Sequence, residues 1–304
     1  MKYFSIFVLV LIMMTACSQQ KDVLIVGLIR PSLNHLPVQI ALQKGFLDST
    51  RIKIHYFSSG WETNEALTAS RIDVAVMPFT YAWQDVAAGY PVRIASFLER
   101  ESDGIICNKS IRSVQELNDK KIGVLRASTL DIFARMLLEE HNIKAELVAF
   151  RSPMEMAAAL TSGEVDALSY YVPPIFRFGD DYRIVRWFSE DYPNHPCCNV
   201  ITRDETIQLK TKLLSGFLVA LAEASTLIPL DHEAVVAGAS SFGLTDSTLS
   251  QSIKYTQYMM GTEEAGKELE KRAARVMLES KYLSQKVDPE KVYLTPAQKN
   301  LLGL

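Results

Sequence analysis

Apolar and polar positions alternate along this chain in blocks that switch between two periods. Residues 22–29 (DVLIVGLI) are an almost continuous apolar run rich in β-branched side chains, the pattern of a strand buried on both faces of a parallel sheet. A polar loop follows, then helical spacing over 38–44 stopped by Gly45. The same reading predicts strands at 51–57, 72–76 and 92–98, with helices at 62–70 and 81–88 between them. A crossing strand begins at 104–106. Strands at 122–125, 145–150, 166–171 and 182–188 then alternate with helices at 130–140 and 154–162. A second crossing strand covers 198–202. Strand–helix alternation of this kind predicts an α/β fold with a mostly parallel sheet. From Glu205 onward the spacing is helical, over 207–227, 232–240, 245–260 and 263–281. Asp288-Pro289 and Thr295-Pro296 each read as an N-cap followed by proline at the first helical position. These C-terminal helices are expected to brace the first lobe.

Part of the pattern occurs twice. Phe57, Ser59, Glu62, Ala66-Leu67-Thr68 and Asp73 match Phe150, Ser152, Glu155, Ala159-Leu160-Thr161 and Asp166, every pair 93 residues apart. Upstream, Gly27 to Ser32 is answered by Gly123 to Ser128 at a spacing of 96. A period this long carries strand, loop, helix and strand, so it implies two α/β lobes built alike and not a solenoid. Two similar lobes face each other across a cleft, and strand ends at such a cleft are where ligands bind. The expected division is 22–104 for the start of the first lobe, 105–198 for the second, and 199–304 for the return.

The amino terminus reads differently. Met1-Lys2 is a positive start, 6–14 is unbroken apolar sequence, and small residues precede a cysteine. The run is too short to span a bilayer, so it reads as an export signal over 1–16. Met14-Thr15-Ala16-Cys17 resembles the lipobox of bacterial lipoproteins, which implies lipidation at Cys17, a tether at 17–21, and a mature chain lipid-anchored to a membrane of the cell envelope, facing the periplasm or the extracellular side. Cys107, Cys197 and Cys198 remain, and an odd number leaves at least one thiol free. With 304 residues, 48% hydrophobic and a net charge of −3, the chain has room for two domains and no basic footprint for nucleic acid.

Leu36-Pro37 through Ala41, followed by Lys44-Gly45-Phe46-Leu47, resembles the opening of type II solute-binding proteins. Ala66-Leu67-Thr68 to Asp73, Leu117 to Val124, and Ala158 to Ala167 follow that family's later landmarks in order. The group resembled is the NMT1-like one that handles nitrate, sulfonates, taurine and thiamine-pyrimidine precursors. The resemblance runs from Asp22 to Leu230. It implies a two-lobed periplasmic-binding-protein type II fold, ligand clamped between lobes joined by two crossing strands, and delivery to the permease of an ATP-binding-cassette importer. Closure is expected about 104–107 and 198–201.

Candidate ligand contacts sit at the strand ends and loops. Trp61, Phe79, Tyr81, Tyr170 and Tyr171 supply aromatic walls for a planar ligand; Trp83, inside a helix, reads as core. Asn34 and His35 follow the first strand and offer hydrogen bonds, or belong to a solvated loop. Glu62 accepts from a ligand amine, or is the acid favoured in a helix first turn. Ser59, Ser152, Ser128 and Thr129 lie beside helix starts, where free amides hold an anionic group. Arg126, with Arg30 at the equivalent place, could hold a carboxylate, sulfonate or phosphate. His195-Pro196-Cys197-Cys198 lacks the further ligands a metal site needs and reads as the entrance to a crossing strand. Related pyrimidine-forming enzymes carry a longer cysteine cluster that binds iron, which this pair does not reproduce.

No nucleophile elbow or Walker loop is present. The sequence therefore predicts a monomeric, lipid-anchored solute-binding protein with no cofactor, bound metal or enzymatic activity. Its expected ligand is a planar heterocycle such as a thiamine-pyrimidine precursor, with a sulfonate, taurine or nitrate second. The competing classes are an enzyme on the same fold, of the pyrimidine-forming or menaquinone-pathway type, and an adhesive lipoprotein.

Overall fold

The computed structural model describes residues 23–30 and 32–304. The export signal, Cys17 and the tether lie outside the described residues. No helix among the described residues is long and apolar enough to cross a membrane.

The chain opens with β1 (Leu24–Ile29), α1 (Leu36–Gln43), β2 (Ile52–Phe57), α2 (Gly60–Thr68), β3 (Val74–Pro78), α3 (Phe79–Ala87) and β4 (Val92–Glu101). It crosses to β5 (Asp103–Asn108), β6 (Lys121–Leu125), α4 (Thr129–Glu140), β7 (Glu146–Phe150), α5 (Pro153–Ser162), β8 (Ala167–Tyr171) and β9 (Tyr182–Trp187). It returns through β10 (Pro196–Arg203), then α6 (Asp204–Leu209), α7 (Thr211–Leu227), α8 (His232–Ala239), α9 (Asp246–Ile253), β11 (Thr256–Gly261), α10 (Glu264–Glu279) and α11 (Pro296–Leu302). Six strands form one sheet in the order β11-β4-β10-β3-β1-β2, and five form the other in the order β7-β6-β8-β5-β9.

The repeat is the scaffold of both sheets. β3-β1-β2 and β8-β6-β7 are the same parallel triplet, each flanked by an antiparallel strand, β10 beside β3 and β5 beside β8. The matched residues explain why. The Asp73 carboxylate accepts from the Ile25 amide at 2.8 Å and that of Asp166 from the Lys121 amide at 2.9 Å, tying the third strand of each triplet to the first. A Cβ at Gly27 would lie 2.4 Å from Ile72 Cδ1 and 3.1 Å from Phe57; at Gly123 it would lie 2.6 Å from Leu168 and 3.0 Å from Phe150. The repeated glycines therefore make room for the repeated phenylalanines.

Ser59 and Ser152 do the same job at two helix starts. Each side chain accepts the amide of the acid three residues on, Glu62 or Glu155. Each acid in turn accepts from the backbone four residues back, Ser58 and Arg151. These are reciprocal N-caps. Ser59→Ala and Ser152→Ala should each cost about 1 kcal/mol in denaturant unfolding. The two losses should add within about 0.5 kcal/mol, since the sites lie on different sheets.

Four expectations change. Residues 245–260 are not one helix: α9 ends at Ile253 and β11 follows, pairing antiparallel with β4 at the sheet edge. The helix expected over 207–227 breaks at Lys210, whose ammonium reaches Asp73 at 2.7 Å. The crossings also lie earlier than expected. The outward one is Glu101-Ser102, both with left-handed backbone (φ 63° and 73°), and the return runs through Phe188–Glu190 to His195. The Glu101 amide donates to the His195 carbonyl at 3.0 Å, so the two crossings are bonded to each other. The C-terminal helices brace more than the first lobe, because α10 packs against α4 of the second sheet's layer. Arg272 pairs there with Glu140, and Arg275 with Glu139 at 3.8 Å.

Candidate functional site

A cavity lies between the two sheets, with about 60 Å³ of free space inside it and a mouth open to solvent. Its walls come from strand ends and helix starts: Ser32 and Asn34 after β1, Ser58-Ser59-Gly60 after β2, Pro78 and Tyr81 after β3, and Leu125 with Ser128–Leu130 after β6. The floor comes from β4, β5, β8 and β10, with Glu99, Ser102, Asp103, Tyr171, Cys197 and Cys198. Parallel strands end here and the next helices begin, so the position follows from the topology.

Of the residues singled out from sequence, Asn34, Ser59, Tyr81, Ser128, Thr129 and Tyr171 line this cavity. Tyr81 and Tyr171 are its aromatic faces, and burial raises both phenol pKa values. Asn34 Nδ2 donates to Cys198 Sγ at 3.2 Å, and Thr129 Oγ1 lies 3.5 Å from Cys197 Sγ. Helix α4 starts at the wall with no side-chain cap, since the Ser128 hydroxyl donates to the Leu125 carbonyl at 2.7 Å. The first amides of a helix have no partner within it, and Ser128, Thr129 and Leu130 at this start line the cavity.

The other seven do not line it. His35 is buried behind Asn34, with Nδ1 2.8 Å from Asn34 Oδ1 and its ring edge-on to Phe242 at 5.1 Å. Burial and the nearby Arg30 lower its pKa to about 3, so it is a neutral core histidine. Phe79 is fully buried, edge-on to Phe133 at 6.2 Å. Trp61 is 61% exposed, one residue beyond the lining Gly60. Glu62 is taken up by the cap on Ser58, and Ser152 caps α5. Tyr170 donates its hydroxyl to the Pro153 carbonyl at 2.9 Å and packs on Phe178. Arg126 is exposed, and Arg30 stacks 3.5 Å over the Tyr56 ring.

What sequence reasoning missed is the floor. Glu99 and Asp103 are buried carboxyls joined through one hydroxyl: Ser102 Oγ lies 2.7 Å from Glu99 Oε1 and 3.3 Å from Asp103 Oδ1. The Cys197 thiol donates to Asp103 Oδ2 at 3.3 Å and lies 3.9 Å from Cys198 Sγ. Burial raises the pKa of Glu99 to about 7, against hydrogen bonds from Ser102 and the two thiols. Burial, with the charge of Glu99, raises that of Asp103 well above the carboxylate range. The hydrogen bond with Cys198 and burial push Cys197 up, and burial holds Cys198 at about 11. Glu99, Cys197 and Cys198 bring one donor atom each within 4.8 Å of one another, a set that fits a thiophilic divalent cation. His195 does not join them; its Nδ1 lies 2.8 Å from the Tyr192 carbonyl and its ring packs against Phe133. One signal for the floor was in the sequence: Glu99 and Asp103 begin and end a wholly polar stretch, 99–103, between the apolar residues of β4 and those of β5.

Solved structures of similar shape are numerous. One is the ligand-binding component of an ABC-type import system from Staphylococcus aureus with zinc bound, 17% identical, with a TM-score of 0.77 over 92% of this chain and 98% of that one. The periplasmic aliphatic sulphonate binding protein SsuA from Escherichia coli is also 17% identical, with a TM-score of 0.77 over 90% and 92%. The periplasmic nitrate-binding protein NrtA from Synechocystis is 14% identical, with a TM-score of 0.75 over 93% and 88%. At such identities the likeness shows the fold, that of periplasmic binding proteins. No curated protein matches the sequence. Residues 32–228 match the NMT1/THI5-like family, which includes most of the strand ends around the cavity, and the chain belongs to that family.

Proposed function

We propose that this protein is the extracytoplasmic substrate-binding component of an ABC importer and that its cavity takes a small planar heterocycle for delivery to a permease. The observation that carries the reading is the lining of the cavity, which brings two tyrosines, Tyr81 and Tyr171, together with two buried carboxyls, Glu99 and Asp103. A flat ring can stack on a tyrosine face. Its amino or ring N–H edge meets Glu99 and Asp103, and an acceptor on the opposite edge meets the uncapped start of α4. A thiamine-pyrimidine precursor has this chemistry. The structures of similar fold include an aliphatic sulphonate binding protein, a nitrate-binding protein and an import-system component with zinc bound, and membership in the NMT1/THI5-like family supports the importer reading.

The lobes of the proposal are 23–101 with 195–304, and 102–194, shifted from the sequence division at 104 and 198 to the bonded crossings Glu101-Ser102 and Asn194-His195, where they hinge. Lipidation at Cys17 would hold the monomer at the membrane. The arrangement of ring faces and carboxyls needs no bond-making group, which supports capture over catalysis.

Thermal unfolding of residues 18–304 against pyrimidines, flavins, sulfonates, taurine and nitrate tests this. A ligand at about a hundred times its dissociation constant should add roughly 2.7 kcal/mol. Tyr171→Ala should weaken a heterocycle response at least tenfold, about 1.4 kcal/mol. Trp61→Ala should leave it within about twofold, because that ring stands outside the cavity. No stabilisation by any class, with no small molecule co-purifying by mass spectrometry, would refute the binding function. Conversion of a bound compound to product would replace it with the enzyme reading.

A further inference from the structure

Resting on the two-lobed capture just proposed, we infer that a cluster of three aromatic rings behind the crossings, Tyr255, Trp187 and Phe176, holds the lobes together around the cavity and so governs how tightly any ligand is captured. The first observation is the cluster itself. The Trp187 and Tyr255 rings are stacked, with centroids 4.1 Å apart and planes 18° apart, and Phe176 leans on them at 6.0 and 5.7 Å. The rings come from both lobes. Trp187 ends β9, and its ring is seated against Gly104 of β5, where a Cβ would lie 3.0 Å from Trp187 Cε3. Phe176 stands in the turn after β8 of the same lobe. Tyr255 belongs to the first lobe, between α9 and β11; its amide donates to the Ser252 carbonyl at 3.1 Å, and β11 pairs with β4 directly after it.

The second observation is where the cluster sits. In the first sheet β11 lies outside β4, while the strands whose ends wall the cavity, β1, β2 and β3, lie on the other side of β4 and β10. In the second sheet β9 lies outside β5, away from β6 and β8. The strands that carry the crossings thus stand between the cavity and the rings. Tyr255, Trp187 and Phe176 do not line the cavity. They are nonetheless tied to the first crossing, because the Ser102 amide donates to the Tyr255 carbonyl at 2.8 Å and Gln257 Nε2 reaches Glu101 Oε2 at 3.3 Å.

The third observation is the arrangement to which the stack is matched. On the cavity side the lobes touch: Gln84 Nε2 donates to the Ala127 carbonyl at 3.3 Å, Thr129 Oγ1 lies 3.5 Å from Cys197 Sγ, and Phe79 meets Phe133. A rotation about the crossings that parts these contacts must move Trp187 relative to Tyr255, since the two are anchored in different lobes. Rings already in van der Waals contact lose energy whether they are drawn apart or driven together. The stack is therefore satisfied only while the lobes are together. A ring pair of this kind changes the ratio of closed to open molecules by about three- to tenfold. Apparent affinity scales with the share of molecules already closed. Tyr255 and Trp187 thus act on capture from outside the cavity, as positioning residues.

The test uses residues 18–304 without ligand, spin-labelled at Glu65→Cys on α2 and Ala158→Cys on α5, exposed positions in different lobes; Cys107, Cys197 and Cys198 are buried and escape labelling. Distances from electron paramagnetic resonance should divide into a closed population and a wider one. Tyr255→Ala should move the ratio toward the wider one by about three- to tenfold. Tyr255→Phe, which keeps the ring, should leave it within about twofold. Trp187→Leu should act like Tyr255→Ala, and serves in its place if that variant does not fold. Both changes together should shift the ratio no further than either alone, because they remove one shared contact. Where the closed population is too small to resolve, copper–phenanthroline oxidation of Gln84→Cys with Ala127→Cys reports it, and the rate of disulfide formation should fall by the same factor. An unchanged ratio and rate in folded Tyr255→Ala and Trp187→Leu would overturn the inference. If a ligand of the wider panel still stabilises the protein, the importer reading stands without it; if none does and nothing co-purifies, that reading falls on its own test.

Discussion

Replacing Glu270 by alanine is expected to lower folding stability by about 3–5 kcal/mol, the cost of breaking a buried network of this kind. Glu270 is fully buried on α10, yet each of its oxygens is used: Oε2 accepts from Trp83 Nε1 at 3.0 Å and from the Tyr293 hydroxyl at 2.7 Å, and Oε1 accepts from Asn199 Nδ2 at 2.7 Å. The three donors come from α3, the segment before α11, and β10. Burial raises the carboxyl pKa to about 7, opposed by those donors. Alanine leaves three buried donors without an acceptor, each worth about 1–3 kcal/mol. In a chain of this size that corresponds to a fall in Tm of roughly 10 °C. Glu270→Gln keeps the shape but turns one end into a donor, which then faces either Asn199 or the Trp83–Tyr293 pair. It should therefore also destabilise, by about 1–3 kcal/mol. A glutamine variant as stable as the parent would show that the network is not what holds α10 to the sheet.

That helix illustrates how far the sequence could be read. The repeat was legible because it consists of local rules applied twice. A serine and an acid three residues apart cap a helix, an aspartate ties neighbouring strands, and a glycine clears space for a phenylalanine. The two triplets of parallel strands followed from these. The same residues misled the search for a site. Glu62 and Ser152 recur because the fold needs them as caps, and the recurrence reads as function when only the letters are visible. Trp61 has an equivalent in Met154, the second residue of the matching helix, and both are exposed.

The cavity floor was hidden for a different reason. Glu99 and Asp103 lie at the first crossing and Cys197 and Cys198 at the second, nearly a hundred residues later. The Pro78–Cys198 and Glu99–Cys198 pairings of β10 with its neighbours bring them together. No local spacing encodes that meeting. Likewise β11 reads as the end of a helix, because its apolar positions fit either period and only pairing with β4 decides between them. The reach of α10 toward α4 depends on two surfaces matching, which periodicity along one helix cannot announce.

Phe133→Ala should have an effect of similar size, and its pH dependence tests the account of the crossings. The ring is fully buried on α4, stacked on Tyr192 at 5.5 Å and edge-on to His195 at 4.6 Å, with Phe188 at 5.9 Å and Phe79 of α3 at 6.2 Å. It therefore fills the space where the return crossing meets both layers. Truncation removes that apolar area and leaves a cavity, at a cost of about 3–5 kcal/mol. Burial, and to a lesser degree the charge of Arg100, keeps His195 neutral, with a pKa lowered to about 4. A group whose folded pKa is lowered in this way costs stability as pH falls below its unfolded value of 6.5, because the unfolded chain takes up a proton that the folded one refuses. Water entering the cavity left by Phe133 would let His195 protonate in the folded state, raising its pKa toward the ordinary value. The loss caused by Phe133→Ala should then be smaller at about pH 5 than at about pH 7.5, by roughly 1–2 kcal/mol. Denaturant unfolding of both proteins at the two pH values measures this directly. Equal losses at both pH values would mean that Phe133 does not shield His195, and that the crossing is held by its backbone bonds alone.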